Sequence, residues 1–323
     1  MSASLLDTSI LVAGAGPAGA TVARLLALRH QQVLLVDPLG PPLERLEILA
    51  PSAFPVLEAL GLVRLLDEPS LACPCLGIRR RWGTRDMHVD DFLRHPGSRG
   101  AVVDRSRFDQ ALMLEARNAG AQFFEGRVAA VTTENDSFAV TIRHGQIRSL
   151  VSARLVVDAT GRAATVARQF GAKRIFSECL VAKKLPCANR EPHPAKGVWL
   201  EVESLDVGWS YSLLGPGGRK ESWRIDPRGQ GERDTHLSKV DASSVYLSSA
   251  AGDRWVAVGD AVTSFDPVTS QGLVNALSTA LVASGAILSS SGSAEQFQTY
   301  SAAVAHTFAF SEVGRAEAYR IFA

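Results

Sequence analysis

Apolar residues along the chain follow two different periods, and the change between them marks the first elements. The apolar run Ile10–Ala13 is followed by a helical spacing of apolar residues at Val22, Leu25 and Leu26, and a second apolar run covers Val33–Val36. Short continuous apolar runs are typical of buried strands, whereas apolar residues three or four positions apart predict one face of a helix. Residues 1–40 are therefore predicted to form a strand–helix–strand unit.

The rest of the chain alternates between the same two kinds of element. We expect residues 41–70 to be helical, with a helix from about Pro51 to Gly61. A further helix is expected from about Ser106 to Asn118. Strands are predicted at residues 121–124, 127–134, 138–144, 155–157 and 255–258, with further strands over 71–103 and 175–226, a hairpin at 215–218 and long helices at the end. Strands with helical crossovers, interrupted by antiparallel blocks, predict an α/β fold with a second sheet inserted in it.

The pattern divides the chain into two interleaved domains. The first, an α/β domain, is expected to comprise residues 1–70, 104–174 and 250–323. The second, a domain built of β-sheet, is expected to comprise residues 71–103 and 175–249.

Composition narrows the classes of function. The chain has 323 residues, is 46% hydrophobic and has a net charge of +1, which argues against a nucleic-acid partner held by bulk electrostatics. Four cysteines without metal-ligand spacing indicate reduced thiols of a cytoplasmic protein, and the N-terminus has no signal-peptide pattern. Residues 267–294 carry no charge, but Gln271, Asn275 and several serines interrupt them, which favours a buried helix over a membrane span.

A glycine motif lies between the first predicted strand and helix. Its sequence is Gly14-Ala15-Gly16-Pro17-Ala18-Gly19, and Asp37 follows the second strand about 20 residues later. In such a motif the glycines allow a tight turn, close approach of a pyrophosphate and close packing of helix on strand, while the helix N-terminus attracts phosphate. The acid at the second strand binds a ribose hydroxyl. The alternative is an ordinary glycine-rich turn.

A second motif lies about 240 residues further on. Strand 255–258 runs into Gly259-Asp260, and Asp266-Pro267 and Gln271-Gly272 follow. Asp260 alone could equally be a turn residue or a helix cap, which is a common use of Asp. Together, and in this order, the two motifs favour a site for a dinucleotide that spans the whole chain.

With these residues in view, the chain resembles flavoproteins of the p-hydroxybenzoate hydroxylase fold, a group of aromatic hydroxylases, flavin-dependent halogenases and geranylgeranyl reductases. Besides the two motifs, the resemblance rests on Val103-Asp104-Arg105 and on the segment Val157–Arg162, and it covers nearly the whole chain. It implies FAD as the cofactor, bound by a Rossmann-like domain of the GR2 type with an inserted antiparallel substrate sheet.

The resemblance also implies roles for individual residues. The carboxylate of Asp260 would hold the ribityl chain, and the loop after it, with the helix N-terminus at Gln271, would lie against the isoalloxazine ring, where a helix dipole stabilises the reduced flavin. The full set of implied cofactor residues is Gly14, Gly16, Pro17, Ala18, Gly19, Asp37, Arg105, Val128 (near the adenine), Gly161, Gly259, Asp260, Pro267, Gln271 and Gly272. No catalytic acid, base or metal ligand is indicated.

A narrower resemblance concerns the substrate. The segments 207–212 and 215–219 are similar to strands of the flavoproteins that hydroxylate a Trp side chain of a partner polypeptide during maturation of tryptophan-derived quinone cofactors, although the substrate domain here is shorter. The resemblance implies hydroxylation of an aromatic ring through a flavin C4a-hydroperoxide, in an aromatic small molecule or a Trp-containing polypeptide. Trp199, Trp209, Tyr211 and Trp223 could line the substrate pocket or could simply pack the core.

Three other functions are weighed against this one. Halogenases require a Lys after the first helical segment, and no Lys precedes Lys173, which disfavours halogenation. A geranylgeranyl-reductase-like activity and a flavin-binding maturation protein with little catalysis both remain open. No second glycine motif follows a strand, so electrons are expected from transiently bound NAD(P)H or from a separate flavin reductase.

Overall fold

The fold comprises twenty strands and five α-helices within the part of the chain that a computed structural model describes, which is residues 6–41, 43–83, 86–97, 99–187, 197–228, 238–289 and 294–321. The strands are β1 Leu6–Ala13, β2 Val33–Asp37, β3 Leu46–Leu49, β4 Ala72–Arg81, β5 His88–Asp91, β6 Gly100–Asp104, β7 Gln122–Glu125, β8 Arg127–Thr133, β9 Phe138–His144, β10 Ile147–Asp158, β11 Arg174–Phe176, β12 Leu180–Leu185, β13 Val198–Ser204, β14 Trp209–Leu214, β15 Lys220–Pro227, β16 Lys239–Asp241, β17 Val245–Leu247, β18 Ala251–Gly252, β19 Trp255–Ala257 and β20 Thr263–Ser264. The helices are α1 Pro17–Ala27, α2 Phe54–Ala59, α3 Arg105–Asn118, α4 Gly272–Ser289 and α5 Gln298–Ile321.

The first sheet confirms the α/β class. Its eight strands include the path β18-β19-β10-β1-β2-β7, in which β19, β10, β1, β2 and β7 run parallel, and β9 and β8 extend it from the first half of β10. The strand–helix–strand unit β1-α1-β2 lies at its centre, as the apolar pattern predicts. Parallel strands covered on both faces are apolar where they are buried, which explains the continuous apolar runs Ile10–Ala13 in β1 and Val33–Val36 in β2.

The second sheet carries the residues expected to meet the substrate. Its nine strands run in the order β16-β12-β15-β14-β13-β4-β6-β3, with β5 paired to β4, and only the β13–β4 pair is parallel. The hairpin predicted at residues 215–218 joins β14 to β15 and is closed by the Gly215 N–H, which donates to the Arg219 carbonyl at 2.8 Å. A small third sheet contains β11, β17 and β20.

The expectation of helix throughout residues 41–70 is wrong for Leu46–Leu49. These residues form β3, which pairs with β6 at one edge of the nine-stranded sheet. The helix predicted after Pro51 is present, but it is a short turn of 3-10 helix followed by α2. The apolar residues of β3 are needed for the sheet's buried face, and that tertiary requirement cannot be read from a four-residue run.

Helix α4 packs against helices α1 and α2. Among the described residues, it is the one helix long and apolar enough to cross a membrane by length and composition, and half of that apolar window is buried inside the protein. Its buried residues include Leu273, Leu277 and Ala280, which pack against the cores around α1 and α2. This burial is that of a core helix, and it brings the N-terminus of α4 to the edge of the site described below.

Candidate functional site

The turn between β1 and α1 is built by backbone-to-backbone contact. Gly14 has φ +105°, and a Cβ there would lie 2.2 Å from the carbonyl oxygen of Ala159. A Cβ on Gly19 would lie 1.9 Å from the carbonyl oxygen of Gly14. A Cβ on Gly16 would meet nothing within 4 Å, so this residue faces open space. Gly14 and Gly19 therefore allow strand and helix to pack closely, and Gly16 leaves the helix N-terminus accessible to a ligand.

Asp37 lies beside this turn. One of its carboxylate oxygens accepts the Ala15 N–H at 2.8 Å and the other accepts the Leu39 N–H at 2.9 Å. A carboxylate has about four lone-pair sites, so capacity remains for a ligand hydroxyl. The side chain is thereby fixed in position before any ligand binds.

The carboxylate of Asp158 organises the turn after β10. It is fully buried and accepts bonds from the backbone N–H groups of Thr160, Val166 and Ala167 at 2.9, 2.8 and 2.7 Å. The turn that results includes Gly161, which has φ +65°, and a Cβ added there would meet no atom within 4 Å. The same segment supplies Arg162, which points to the cavity described next.

Gly259 and Asp260 bring the second motif against the first. A Cβ on Gly259, which has φ +60°, would lie 2.7 Å from the Cβ of Ala18, so the two distant segments touch. The Asp260 side chain is 39% exposed, and its Oδ2 lies 3.7 Å from Arg162 Nε. Burial raises the pKa of Asp260, and the nearby Arg162 opposes that rise. The result is a recessed acceptor at the edge of the glycine turn.

A cavity of about 140 Å³ extends from Asp260 to the inner face of the nine-stranded sheet. Asp260, Pro267, Gln271 and Gly272 line one end, where α4 begins. Three aromatic side chains line the other wall together with apolar residues of β4, β12, β13 and β14: Trp209, Tyr211, Trp223, Ile78, Ala182, Leu200, Val202 and Leu213. A cavity of roughly 150 Å³ lined by apolar side chains accepts benzene in an engineered protein, so this one has room for an aromatic ring.

The structure separates Trp199 from the other three aromatic residues named from the sequence. Trp199 does not line the cavity, and the Arg79 guanidinium lies over its ring at 4.5 Å. Neighbouring residues of β13, Leu200 and Val202, face the cavity, so the alternation of side chains along a strand turns Trp199 to the other face. The expectation that Trp199 lines the pocket is therefore corrected.

Two residues that the resemblance placed near the cofactor lie outside the cavity lining. Arg105 is largely buried and donates to Glu47 at 2.7 Å and to Asp109 at 2.8 and 2.9 Å. These two carboxylates hold the Arg105 guanidinium in place, and of the three residues only Glu47 lines the cavity. Val128 on β8 is buried in a separate core, which also contains Phe138 and Val140 of β9.

A hydrogen-bonded chain that sequence reasoning missed links the cavity to α5. Trp209 Nε1 donates to the hydroxyl of Tyr319 at 3.0 Å, and that hydroxyl donates to Asp266 Oδ2 at 2.8 Å. Asp266 Oδ1 accepts the Val268 N–H at 2.9 Å. Burial raises the pKa of Asp266 to about 6, although the bonds from Val268 and Tyr319 oppose the rise. No local signal marks Tyr319, which lies 53 residues beyond Asp266.

These observations fit a dinucleotide cofactor. The glycine turn leaves open space at Gly16 beside an uncapped helix N-terminus, Asp37 is hydrogen-bonded beside this turn, and Gly259 brings Asp260 close to Ala18 of α1. Among the described residues, no group of three or more His, Cys, Asp or Glu side chains could hold a metal ion.

Comparison with known proteins gives the same result. The sequence profile of the FAD binding domain matches residues 7–204. The chain is 27% identical over 319 residues to LodB of Marinomonas mediterranea, which is named as an FAD-dependent oxidoreductase, and the match covers 87% of this chain and 85% of LodB. It is 22% identical over 343 residues to a 1H-pyrrole-2-carbonyl-[peptidyl-carrier protein] chlorinase of Pseudomonas fluorescens, covering 87% of this chain and 76% of that protein.

Two solved structures share the fold. The peptidyl tryptophan dihydroxylase QhpG superposes with a TM-score of 0.75 at 23% identity, covering 98% of this chain and 75% of QhpG. A geranylgeranyl bacteriochlorophyll reductase-like protein of Thermoplasma acidophilum superposes with a TM-score of 0.80 at 20% identity, covering 98% of this chain and 87% of that one. Because the profile covers more than half of the sequence, the chain belongs to the FAD-binding domain family and is an FAD-dependent oxidoreductase with the flavin monooxygenase fold.

Proposed function

We propose that the protein is an FAD-dependent monooxygenase that hydroxylates an aromatic ring, and that the leading substrate is a tryptophan side chain of a polypeptide partner. The observation that carries the proposal is the shared cavity, in which the proposed flavin edge at Asp260, Pro267 and Gly272 faces the aromatic wall of Trp209 and Trp223. One solved structure with the same fold is named as a peptidyl tryptophan dihydroxylase, which supports the choice of ring.

The proposed cofactor residues would bind different parts of FAD. The pyrophosphate would lie against Gly14, Gly16, Pro17, Ala18 and Gly19. Asp37 would bind the ribose, and Asp260 would bind the ribityl hydroxyls. The N-terminus of α4 at Gly272, with Gln271 before it, would stabilise negative charge on the reduced ring. When bound and reduced, the flavin would activate O2, of which one oxygen atom would be added to the ring and the other released as water.

The aromatic wall would hold the substrate and exclude water. Offset and edge contacts between aromatic rings favour an indole or phenol face against Trp223 and Tyr211. The Tyr319 hydroxyl orients Trp209 through its Nε1–H, so the wall is fixed from α5. We assign no catalytic acid or base to this chain.

Two alternatives are weaker. Halogenation requires a Lys at the cavity, but no Lys precedes residue 173, and none lines the cavity among the described residues. Prenyl reduction needs a long apolar groove, whereas this cavity is lined in part by the charged side chains of Arg80, Arg162 and Asp241. We further propose that electrons come from NAD(P)H or a separate flavin reductase, and that the protein is cytoplasmic.

The test is turnover of Trp-containing peptides by the FAD-loaded protein, with a flavin reductase and NADH, in the presence of chloride or bromide. The expected product carries the mass of one or more oxygen atoms on the Trp, and a peptide with Leu in its place should stay unchanged. Trp223→Leu should raise the KM for the peptide about tenfold, while the matched change Trp199→Leu on the other face should leave it unchanged. Halogenated product, or reduction of a prenyl double bond without oxygen transfer, would reject the proposal. Flavin binding without any turnover would favour a maturation protein.

A further inference from the structure

Three consecutive arginines end strand β4, and the strand sorts them onto two faces. Arg79 Nη1 lies 3.2 Å from Glu201 Oε1, and Arg81 Nη1 lies 3.0 Å from Glu203 Oε1. These two arginines therefore share the outer face of the sheet, each paired with a carboxylate of β13. Successive side chains of a strand point to opposite faces, so Arg80 points inward, and it lines the cavity.

Arg80 lacks the close carboxylate that its two neighbours have. Its Nη1 lies 3.8 Å from Asp90 Oδ2, beyond hydrogen-bond distance, and the other Asp90 oxygen lies 2.6 Å from His95 Nε2. Within the described part of the chain, the Arg80 guanidinium makes no hydrogen bond. Its side chain is 25% exposed, against 41% for Arg79 and 52% for Arg81. A partly buried cation in a long ion pair with Asp90 thus faces the cavity, and its five N–H donors lack a hydrogen-bond acceptor among the described residues.

The sheet register shows where this cation lies relative to the aromatic wall. Arg80 is opposite Val202, Val202 is opposite Tyr211, and Tyr211 is opposite Trp223. The four residues form one row across the inner face, with strands roughly 4.8 Å apart. The backbones of Arg80 and Tyr211 are therefore roughly 10 Å apart, a gap that an Arg side chain and a small anion can fill.

The two other arginines that line the cavity, Arg162 and Arg45, are already engaged. Arg162 donates to the carbonyl oxygens of Ser243 and Phe265, and Arg45 contacts Glu47. Asp241 accepts from Ser243 and pairs with Arg174. Removal from water lowers the pKa of Arg80, but a guanidinium stays protonated in proteins. Arg80 is the one charged residue of this row, so a ligand anion would meet a cation there.

We propose that Arg80 is a specificity residue that binds a carboxylate of the substrate, within about one side-chain length of the ring to be oxidised. This inference rests on the proposed function, because it places the ring against the aromatic wall. A guanidinium fork matches a carboxylate with two parallel charge-assisted hydrogen bonds. The carboxylate has two sources of the same chemistry: the acid group of a free aromatic acid, or an Asp or Glu side chain beside the Trp of a peptide.

The test measures binding to the FAD-loaded protein by calorimetry with two matched pairs of probes. The first pair is indole-3-acetate and indole-3-acetamide, and the second is acetyl-Asp-Trp-amide and acetyl-Asn-Trp-amide. In at least one pair the carboxylate probe should bind about tenfold tighter than its amide. Preference in the first pair alone identifies a free acid as the source, and preference in the second alone identifies a peptide.

Variants assign the preference to Arg80. Arg80→Gln should abolish the tenfold preference, Arg80→Lys should keep part of it because the charge remains, and the matched Arg79→Gln should keep all of it. Thermal unfolding and the flavin spectrum check that each variant is folded and loaded, and Arg80→Lys serves if Arg80→Gln is not. Equal binding of acid and amide by the wild type, or a preference that survives Arg80→Gln, overturns the inference. Since binding is measured without turnover, a preference that depends on Arg80 stands even if no oxygen transfer is found.

Discussion

The glycine turn at Gly14–Gly19 and the aromatic wall of the cavity are built in opposite ways. In the turn, atoms of the backbone touch each other, and two of the three glycines leave no room for even one added carbon. In the wall, the backbone is ordinary antiparallel sheet, and the side chains of Trp209, Tyr211 and Trp223 from two adjacent strands define the shape. The turn can therefore tolerate almost no substitution, whereas the wall can change its residues and keep its fold. In a family with several chemistries, this difference allows one cofactor frame to receive different substrates.

The largest effect is expected from a substitution in the glycine turn. Gly14→Ala should lower the free energy of unfolding by about 4 kcal/mol and abolish flavin retention, because a Cβ would collide with the Ala159 carbonyl and the backbone would be strained. Gly120→Ala is the matched control, since Gly120 has the same φ of +105° with nothing within 4 Å. It should cost roughly 1–2 kcal/mol. Chemical denaturation and the flavin content of purified protein measure both, and equal losses would show that the contact with Ala159 does not matter.

The next effect concerns Asp266, where the wall meets the loop before α4. Its pKa of about 6 in the folded protein exceeds the ordinary 3.8, because the carboxyl is buried. Between these values the folded protein keeps a proton that the unfolded chain releases, so the free energy of unfolding should fall as the pH rises from about 4 to about 6. The fall from this group should total about 3 kcal/mol, and it should be complete at neutral pH.

Two variants test this pH dependence by denaturation at a series of pH values. Asp266→Asn should remove the slope between pH 4 and 6, because the group no longer titrates. Tyr319→Phe should extend the slope to higher pH, because the bond from the Tyr319 hydroxyl lowers the pKa of Asp266. A slope unchanged in both variants would mean that other groups cause it.

The smallest effect is expected at Asp260, whose side chain is proposed to bind FAD. Asp260→Asn should weaken FAD binding by about 2 kcal/mol, or roughly thirtyfold in Kd, because a charged acceptor becomes neutral. Asp253→Asn, at a carboxylate that is 69% exposed, is the control and should bind FAD like the wild type. Titration of the flavin-free protein, followed by flavin fluorescence, measures both. Equal affinities would show that the charge of Asp260 does not contribute to FAD binding.

The same contrast explains what could be predicted from the sequence. The turn and the strand–helix–strand unit around it are local, so contiguous residues were enough to predict their structure and, through the resemblance, the FAD-binding family. The composition of the aromatic wall depends on whether the odd-numbered or the even-numbered residues of each strand face inward. In β13 the even-numbered Val198, Leu200 and Val202 are buried, whereas in β14 the odd-numbered Trp209 and Leu213 are.

This change of parity separates Trp199 from Trp209, and no property of the two residues themselves reveals it. The strand β3 was missed for a related reason, since its pairing with β6 is fixed by the sheet and not by its own four residues. Arg80 illustrates the point in charged residues. A run of three arginines looks uniform in the sequence, and only the strand register distinguishes the middle one.

The order of strands in the first sheet also determines when that sheet can be completed during synthesis. Strand β10 pairs with β1 on one side, but its other parallel partner, β19, begins only at Trp255. At a synthesis rate of about 5–20 residues per second, the ribosome needs roughly 5–20 s to make the intervening segment. During that interval the edge of β10 at Val156–Asp158 stays open, since β9 covers only the first half of the strand, and an open apolar edge can pair with another chain. The inserted sheet thus sets the time for which the nascent protein is vulnerable to aggregation.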